Sequence, residues 1–317
     1  MKKIDVLALG ELNADVILNK IDGEPEVGKE KFAENMIVTL GSSTAIFAAN
    51  ISTLGTRTAF VGMIGKDNFG TLAKNTLSSK GVDVSHLIET EKAATGATIV
   101  LNYNEDRAMV TYQGSMDLMV FDDIDKNIFK TTSHLHISSI FLQSGIKKDL
   151  IQILKFAKQE GLTTSLDAQW DPSEKWDFDY AKILPLVDVF IPNEKELILL
   201  TGSKKLDEAI EKIKPYMNTC VIKLGNKGSL LINKDGMSNK MDAFLNSNVI
   251  DAIGAGDSFN AGFIHKFIQK KTLIECQQFG NLTGAINTTA SGGTGAFCSK
   301  QEIEKIAKER FNQKISL

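Results

Sequence analysis

The 317-residue chain is poor in cysteine: Cys220, Cys276 and Cys298 are scattered, and none forms a Cys-x-x-Cys pair. A disulfide framework is thereby excluded, and a reducing, cytoplasmic setting is expected. No apolar run approaches membrane-spanning length. The opening Ile4-Asp5-Val6-Leu7-Ala8-Leu9-Gly10 is too short for a signal peptide and is interrupted by Asp5, so it reads as a buried first strand. Positive charge is not in excess either. Lys and Arg number 36 against 39 Asp and Glu, a net charge of −3, which argues against nucleic acid or an anionic membrane surface as the main partner. Internal repeats and low-complexity segments are lacking. What remains is an ordinary globular composition, 43% hydrophobic and 24% charged, with enough chain for one large domain or two smaller ones.

The periodicity is that of an α/β protein. A strand at 4–10 opens the chain. Strand 134–140 leads to a helix at 146–160, where Leu150, Ile153, Leu154 and Ala157 form an i, i+3, i+4, i+7 stripe closed by Gly161. Strands at 162–167, 187–191 and 219–224 follow with helices between them. Further helices are expected at 69–80, 272–289 and 300–311. This alternation predicts a mostly parallel sheet with helices on both faces, with ligands at the carboxyl ends of its strands. Residues 16–40 alternate weakly and carry several charges. Residues 96–103 and 107–113 alternate around a turn at Asn104-Glu105-Asp106. Both stretches suit a small, partly exposed sheet.

Two motifs carry less than their spacing suggests. Gly23, Gly28 and Lys29 match a P-loop, but Glu30 stands where Ser or Thr should hold magnesium, and no buried strand leads in. His134 and His136 share one side of a strand and could ligate a metal, yet no third ligand is near in sequence.

The most informative stretch is Asp251-Ala252-Ile253-Gly254-Ala255-Gly256-Asp257-Ser258-Phe259-Asn260-Ala261-Gly262. Asn248-Val249-Ile250 before it reads as a strand end, so the order is strand, glycine turn, helix N-terminus. Unpaired N–H groups and the positive end of the helix dipole suit an anion there, most naturally a phosphate. Asp257 falls beside that site, and the helix terminus is expected to favour its ionised form. A phosphoryl-transfer site could use such an acid as acceptor base. The same spacing also describes a plain helix start with an acid in its first turn.

Asp-x-x-Gly-Ala-Gly-Asp-x-Phe followed by Asn-Ala-Gly resembles the signature of the ribokinase-like (PfkB) carbohydrate kinases. That resemblance implies Gly254, Ala255 and Gly256 as an anion hole and Asp257 as catalytic base; Ala252 replaces a common Thr. Gly10-Glu11-Leu12-Asn13-Ala14-Asp15 resembles the family's first motif, which assigns Asn13 and Asp15 to sugar hydroxyls. Gly41 and Ser42 stand where a Gly pair is usual, and Ile46 where a sugar-binding Asn is usual. Ile46 removes one polar contact and should favour a substrate lacking that hydroxyl. Gly65-Lys66-Asp67-Asn68-Phe69-Gly70 resembles a further family turn. By the same resemblance the 12–40 and 96–113 stretches form a β lid over the sugar, with Arg107 and Tyr112 as candidates for its inner face.

The resemblance further implies Asn193 and Glu196 (Asn-x-x-Glu) as organisers of phosphate and Mg²⁺, through water. Lys223, Gly225 and Gly228 would lie against the nucleotide, and Asn281 on its adenine side. Asp251 and the loop 291–296 would hold a monovalent cation such as K⁺. Motifs from Gly10 to Ala296 keep the family order. They imply a single ribokinase-like kinase domain over 1–317, with a mostly parallel central sheet and a lid. The expected activity is ATP- and Mg²⁺-dependent phosphorylation of an alcohol on a sugar or related polyhydroxy compound, with a possible homodimer through the lid. A nucleoside kinase, or a silent sugar- or nucleotide-binding regulatory protein, are the alternatives.

Overall fold

The computed structural model describes residues 3–103 and 106–317, and for Asp106 and Arg107 the backbone only. The strands are β1 Ile4–Leu9, β2 Asn13–Ile21, β3 Ala33–Leu40, β4 Thr58–Val61, β5 Met63–Gly65, β6 Ile88–Thr90 and β7 Gly96–Tyr103. They continue as β8 Asp106–Tyr112, β9 Thr132–Ser138, β10 Thr163–Asp167, β11 Val189–Phe190, β12 Thr219–Lys223, β13 Ser229–Asn233 and β14 Ser238–Met241. The main sheet has eight strands in the order β14-β13-β12-β11-β10-β9-β1-β4. It is parallel from β4 to β12 and antiparallel from β12 through β14.

The first strand shows why this sheet is covered on both faces. Leu7 and Leu9 join one core with Leu135, Ile137 and the helix Ser144–Gln159. Val6 and Ala8, pointing the other way, join a second core with Phe47, Phe60 and Phe263. A near-continuous apolar run is what a doubly buried parallel strand requires. The stripe expected on the Ser144–Gln159 helix is buried as Leu150, Ile153, Leu154 and Ala157.

The two weakly alternating stretches pair as a second sheet in the order β3-β2-β7-β8. Asp15 pairs with Thr98 across β2 and β7, and Thr98 with Thr111 across β7 and β8. This sheet departs from the carboxyl end of β1, so its first residues sit over the strand ends of the main sheet. Of the turn expected at Asn104-Glu105-Asp106, Asn104 and Glu105 lie outside the described residues.

One expected strand is absent. Asn248-Val249-Ile250 is irregular, with Val249 and Ile250 each 57% exposed. The main sheet already ends at β14, and the chain from there is fastened to the end of the helix Leu273–Asn287, where Ile250 N donates to Thr288 O at 2.9 Å. Val249, which suggests a strand, serves here in the wall of a cavity.

Candidate active site

The parallel strands deliver their carboxyl ends to one edge, and the helix Ala255–Ile268 begins there. Gly254 caps it with φ 75°, a left-handed conformation that glycine adopts without steric penalty. A side-chain carbon on Gly254 would also stand 2.6 Å from Gly293 Cα, so the turn has no room for one. The Ala255 N–H turns back to Ala252 O at 3.2 Å, which leaves the flanking N–H groups of Gly254 and Gly256 to meet an anion. Lys223 Nζ would be 3.5 Å from a side-chain carbon on Gly256, so an ammonium stands beside the turn.

Asp257 is buried, 6% exposed, in the first turn of that helix. Around it lies a polar cluster that sequence reasoning missed. Asp167, fully buried at the end of β10, accepts from Lys223 Nζ at 2.6 Å, Asn260 Nδ2 at 2.6 Å and Gln169 Nε2 at 2.9 Å. Gln169 Nε2 also donates to Asp257 Oδ1 at 3.0 Å. Glu11, 1% exposed, bonds Thr44 Oγ1 at 2.5 Å.

The expectation of a readily ionised Asp257 is corrected by this environment. Burial, then Asp167, push its carboxyl up to about 8; Glu11 adds to the rise, and Lys223 and Ser43 oppose it. The helix terminus is outweighed by the loss of water and by two neighbouring acids. Burial likewise raises Glu11 to about 7 against the hydrogen bond from Thr44. Glu196 is raised to about 7 by burial and then Asp167, with Lys223 opposing. Burial works against the Lys223 ammonium, but Asp167, Glu196 and Asp257 outweigh it and hold its pKa above the ordinary value. Acids outnumber bases here, which suits a site that takes up a cation.

On the second-sheet side, Asn13 Nδ2 donates to Thr98 Oγ1 at 2.9 Å and to Asp15 Oδ1 at 3.3 Å. Thr98 and Thr111 hydroxyls continue the row at 3.0 Å. Asn13 Oδ1 is buried without a partner, an acceptor left over for a ligand. Gly41 lies against this pair: a side-chain carbon there would meet Asp15 Oδ1 at 2.2 Å. Ser42 takes the left-handed φ of 71° that explains a usual glycine. Its hydroxyl donates to Glu11 O at 2.5 Å and accepts from Ala45 N at 3.1 Å, fixing the start of the helix Ser43–Thr53. Ile46, 3% exposed, packs on the backbone of Gly254 and Gly293, joining the helix Ser43–Thr53 to the glycine turn. Arg107 lies in β8, and its side chain is outside the described residues; Tyr112 is exposed.

Beyond the turn opens a cavity of about 800 Å³, lined by Lys223, Gly225, Gly228, Gly256, Phe259 and Asn281 among others. Gly228 is fixed by packing as well, since a side-chain carbon would meet Met241 O at 1.9 Å. Asn193 and Glu196 form a reciprocal cap: Asn193 N donates to Glu196 Oε2 at 2.9 Å, and Glu196 N to Asn193 Oδ1 at 2.8 Å. Asn193 also borders a shallower depression with Lys223 and Gly225. Both oxygens of Asp251 accept backbone N–H groups, from Ile253 at 2.9 Å and Gly292 at 2.9 Å. Asn287 Nδ2 occupies Ile253 O at 2.6 Å. A monovalent cation held by Asp251 would share these oxygens with the N–H groups that they already accept.

The histidine pair lies in the core. His134 and His136 are buried in a chain of hydroxyls, from Thr163 to His134, Ser165, His136 and Ser138, each step 2.7 to 2.8 Å. Burial holds both below the ordinary imidazole range, and the residues form no metal site: among the described residues no three His, Cys, Asp or Glu side chains cluster to hold an ion. The P-loop look-alike lies in an exposed loop between β2 and β3, where Lys29 pairs with Glu26.

A model of the "pfkB family carbohydrate kinase" matches residues 3–300. A ribokinase of Haemophilus influenzae is 27% identical over 304 residues, 93% of this chain and 95% of that protein. Among solved structures, Arabidopsis thaliana ribokinase complexed with ribose and ATP superposes with a TM-score of 0.82 at 23% identity, over 96% of this chain and 99% of that one. An E. coli protein assigned as ribokinase II, solved with ATP and Mg²⁺, gives 0.83 at 22% identity, over 97% and 100% of the two chains.

Proposed function

The chain belongs to the pfkB family of carbohydrate kinases, and from that premise we propose that it transfers the terminal phosphoryl group of ATP to a hydroxyl of a sugar or similar small polyhydroxy compound. The observation that carries this reading is the juxtaposition of Asp257, the glycine turn and the Lys223 ammonium between a large cavity and the Asn13–Asp15 row. In this reading Asn13, Asp15 and Thr98 bind hydroxyls of the acceptor. Asp257 takes the proton of the attacking hydroxyl. The N–H groups of Gly254 and Gly256, with Lys223, stabilise negative charge on the transferring group. The nucleotide occupies the cavity, with Gly225, Gly228 and Asn281 on its walls.

Mg²⁺, when bound with ATP, supplies charge neutralisation across the phosphates. Asn193 and Glu196 would hold it through water, and the buried, unpartnered Asp167 Oδ1 is an acceptor for such a water. A rate higher in KCl than in tetramethylammonium chloride would place a monovalent cation at Asp251 and the 291–296 loop; equal rates would remove it. We also read 1–317 as one kinase unit whose second sheet serves as a lid. Its exposed Met36, Val38 and Val110, on the face opposite the Asp15–Thr98–Thr111 row, are the surface through which two copies would pair.

The test is ADP release with MgATP across sugars, sugar acids, polyols and nucleosides. One strong neutral polyol acceptor supports the reading. A nucleoside as sole acceptor would replace it with the nucleoside kinase. Silence with every acceptor, with ATP still bound, would make the chain a binding protein.

A further inference from the structure

The loop after β10 contains a backbone outlier with its side chain at the reaction centre. Gln169 has φ 63°, a left-handed conformation unfavourable for any residue with a side chain other than Asn or Asp. Such an outlier persists only where its surroundings over-determine it. Here they do. Asp171, 2% exposed, accepts from Ser173 N at 2.9 Å, Ser173 Oγ at 2.7 Å and Trp176 N at 2.7 Å, which fastens the loop to itself. Trp170 packs edge-on against Trp176 at 5.0 Å, with the Lys195 ammonium 4.6 Å over its ring. Trp176 in turn meets Phe141 at 5.8 Å. The loop is held rigidly just where one amide is delivered.

That amide has a specific use. Its nitrogen donates to Asp167 Oδ2 at 2.9 Å and to Asp257 Oδ1 at 3.0 Å. Both acceptors are carboxyl oxygens, and the NH₂ end faces them with one hydrogen for each. Asp167 is itself immobile, held by Lys223 and Asn260 at 2.6 Å each. Gln169 thus ties the carboxylate of Asp257 to a fixed point on the sheet.

We propose that Gln169 is a positioning residue of the phosphoryl transfer: its amide, delivered by a strained and self-fastened loop, clamps Asp257 between the buried Asp167 and the acceptor hydroxyl. This rests on the kinase reading. A bridge that only relieved repulsion between two buried acids would affect stability; a clamp affects turnover.

The two effects separate because glycine suits the left-handed conformation. Gln169→Gly removes the amide and relieves the backbone. Gln169→Asn tolerates the same conformation but is one methylene too short to span both carboxylates. Wild type and both variants are compared for ADP release with MgATP and the best acceptor of the panel, for ADP affinity by calorimetry, and for Tm. The expected result for Gln169→Gly is a kcat lower by about 10²-fold, with KM for ATP, ADP affinity and Tm near wild type. Gln169→Asn should fall between. Wild-type kcat in Gln169→Gly would overturn the proposal. So would a loss of kcat accompanied by weaker ADP binding and a lowered Tm in both variants, since that pattern marks a purely structural bridge. Should wild type release no ADP with any acceptor, the kinase reading itself falls and takes this inference with it. An active wild type with an unaffected Gln169→Gly removes the clamp alone.

Discussion

Asp257 lies at the positive end of a helix, yet its carboxyl is held near pH 8 by burial and by Asp167 and Glu11. The consequence for stability has a definite sign. A carboxyl whose pKa is higher in the folded than in the unfolded chain binds an extra proton when folded. Its contribution is fully present below the unfolded pKa and is lost as pH rises to the folded one. Asp257, Glu11 and Glu196 all act this way, up to about 8, 7 and 7. His134 and His265, lowered to about 3 and 4, act oppositely, but only up to their unfolded value of 6.5. From about pH 6.5 to 8 the acids therefore dominate, and the ligand-free protein should lose stability as pH rises. Between about pH 7 and 8 Asp257 is the main remaining term, worth up to about 1.4 kcal/mol. Denaturant midpoints at pH 7 and 8 should differ in wild type and converge in Asp257→Asn. A midpoint that rises over this range in wild type would contradict the assignment.

At the scale of elements, the turn from β3 into the helix Ser43–Thr53 is where the sugar side can be tested apart from the nucleotide side. Gly41→Ala places a carbon 2.2 Å from Asp15 Oδ1, so Asp15 and Asn13 must move. The expected outcome is a sugar KM raised by about tenfold or more with KM for ATP unchanged. Equal rises in both would show that the turn is not a sugar-side element.

This turn, the parallel strands and the glycine signature were legible in sequence because each depends on local demands: a left-handed residue, a doubly buried run, a helix N-terminus. Asp167 was only half legible. It ends a strand that the apolar pattern identifies, and the carboxyl end of a parallel strand is where ligands bind. Gln169 was not legible, since its role depends on a left-handed φ without glycine and on a contact 88 positions away. Glu11 sits within a recognised motif, but its burial arises from packing against the helix Ser43–Thr53. The strand end expected at Asn248-Val249-Ile250 failed because an apolar β-branched residue, here Val249, also suits a cavity wall.

At the scale of the whole molecule, two sheets meet over one row of strand ends, and the second leaves an apolar surface exposed. Met36, Val38 and Val110 share one face and are 63%, 40% and 66% exposed. If two copies pair there, Val110→Asp should shift the sedimentation profile from dimer to monomer; a wild type monomeric at all concentrations would remove this partner. The shared edge between the sheets is also where the central claim is decided: Asp257 receives the proton of an alcohol acceptor. The direct measurement is single-turnover phosphoryl transfer from MgATP to the best acceptor, in wild type and in Asp257→Asn. The account predicts a rate lower by about 10²-fold or more in the variant, with ATP affinity intact. A variant that transfers phosphate at the wild-type rate would contradict it.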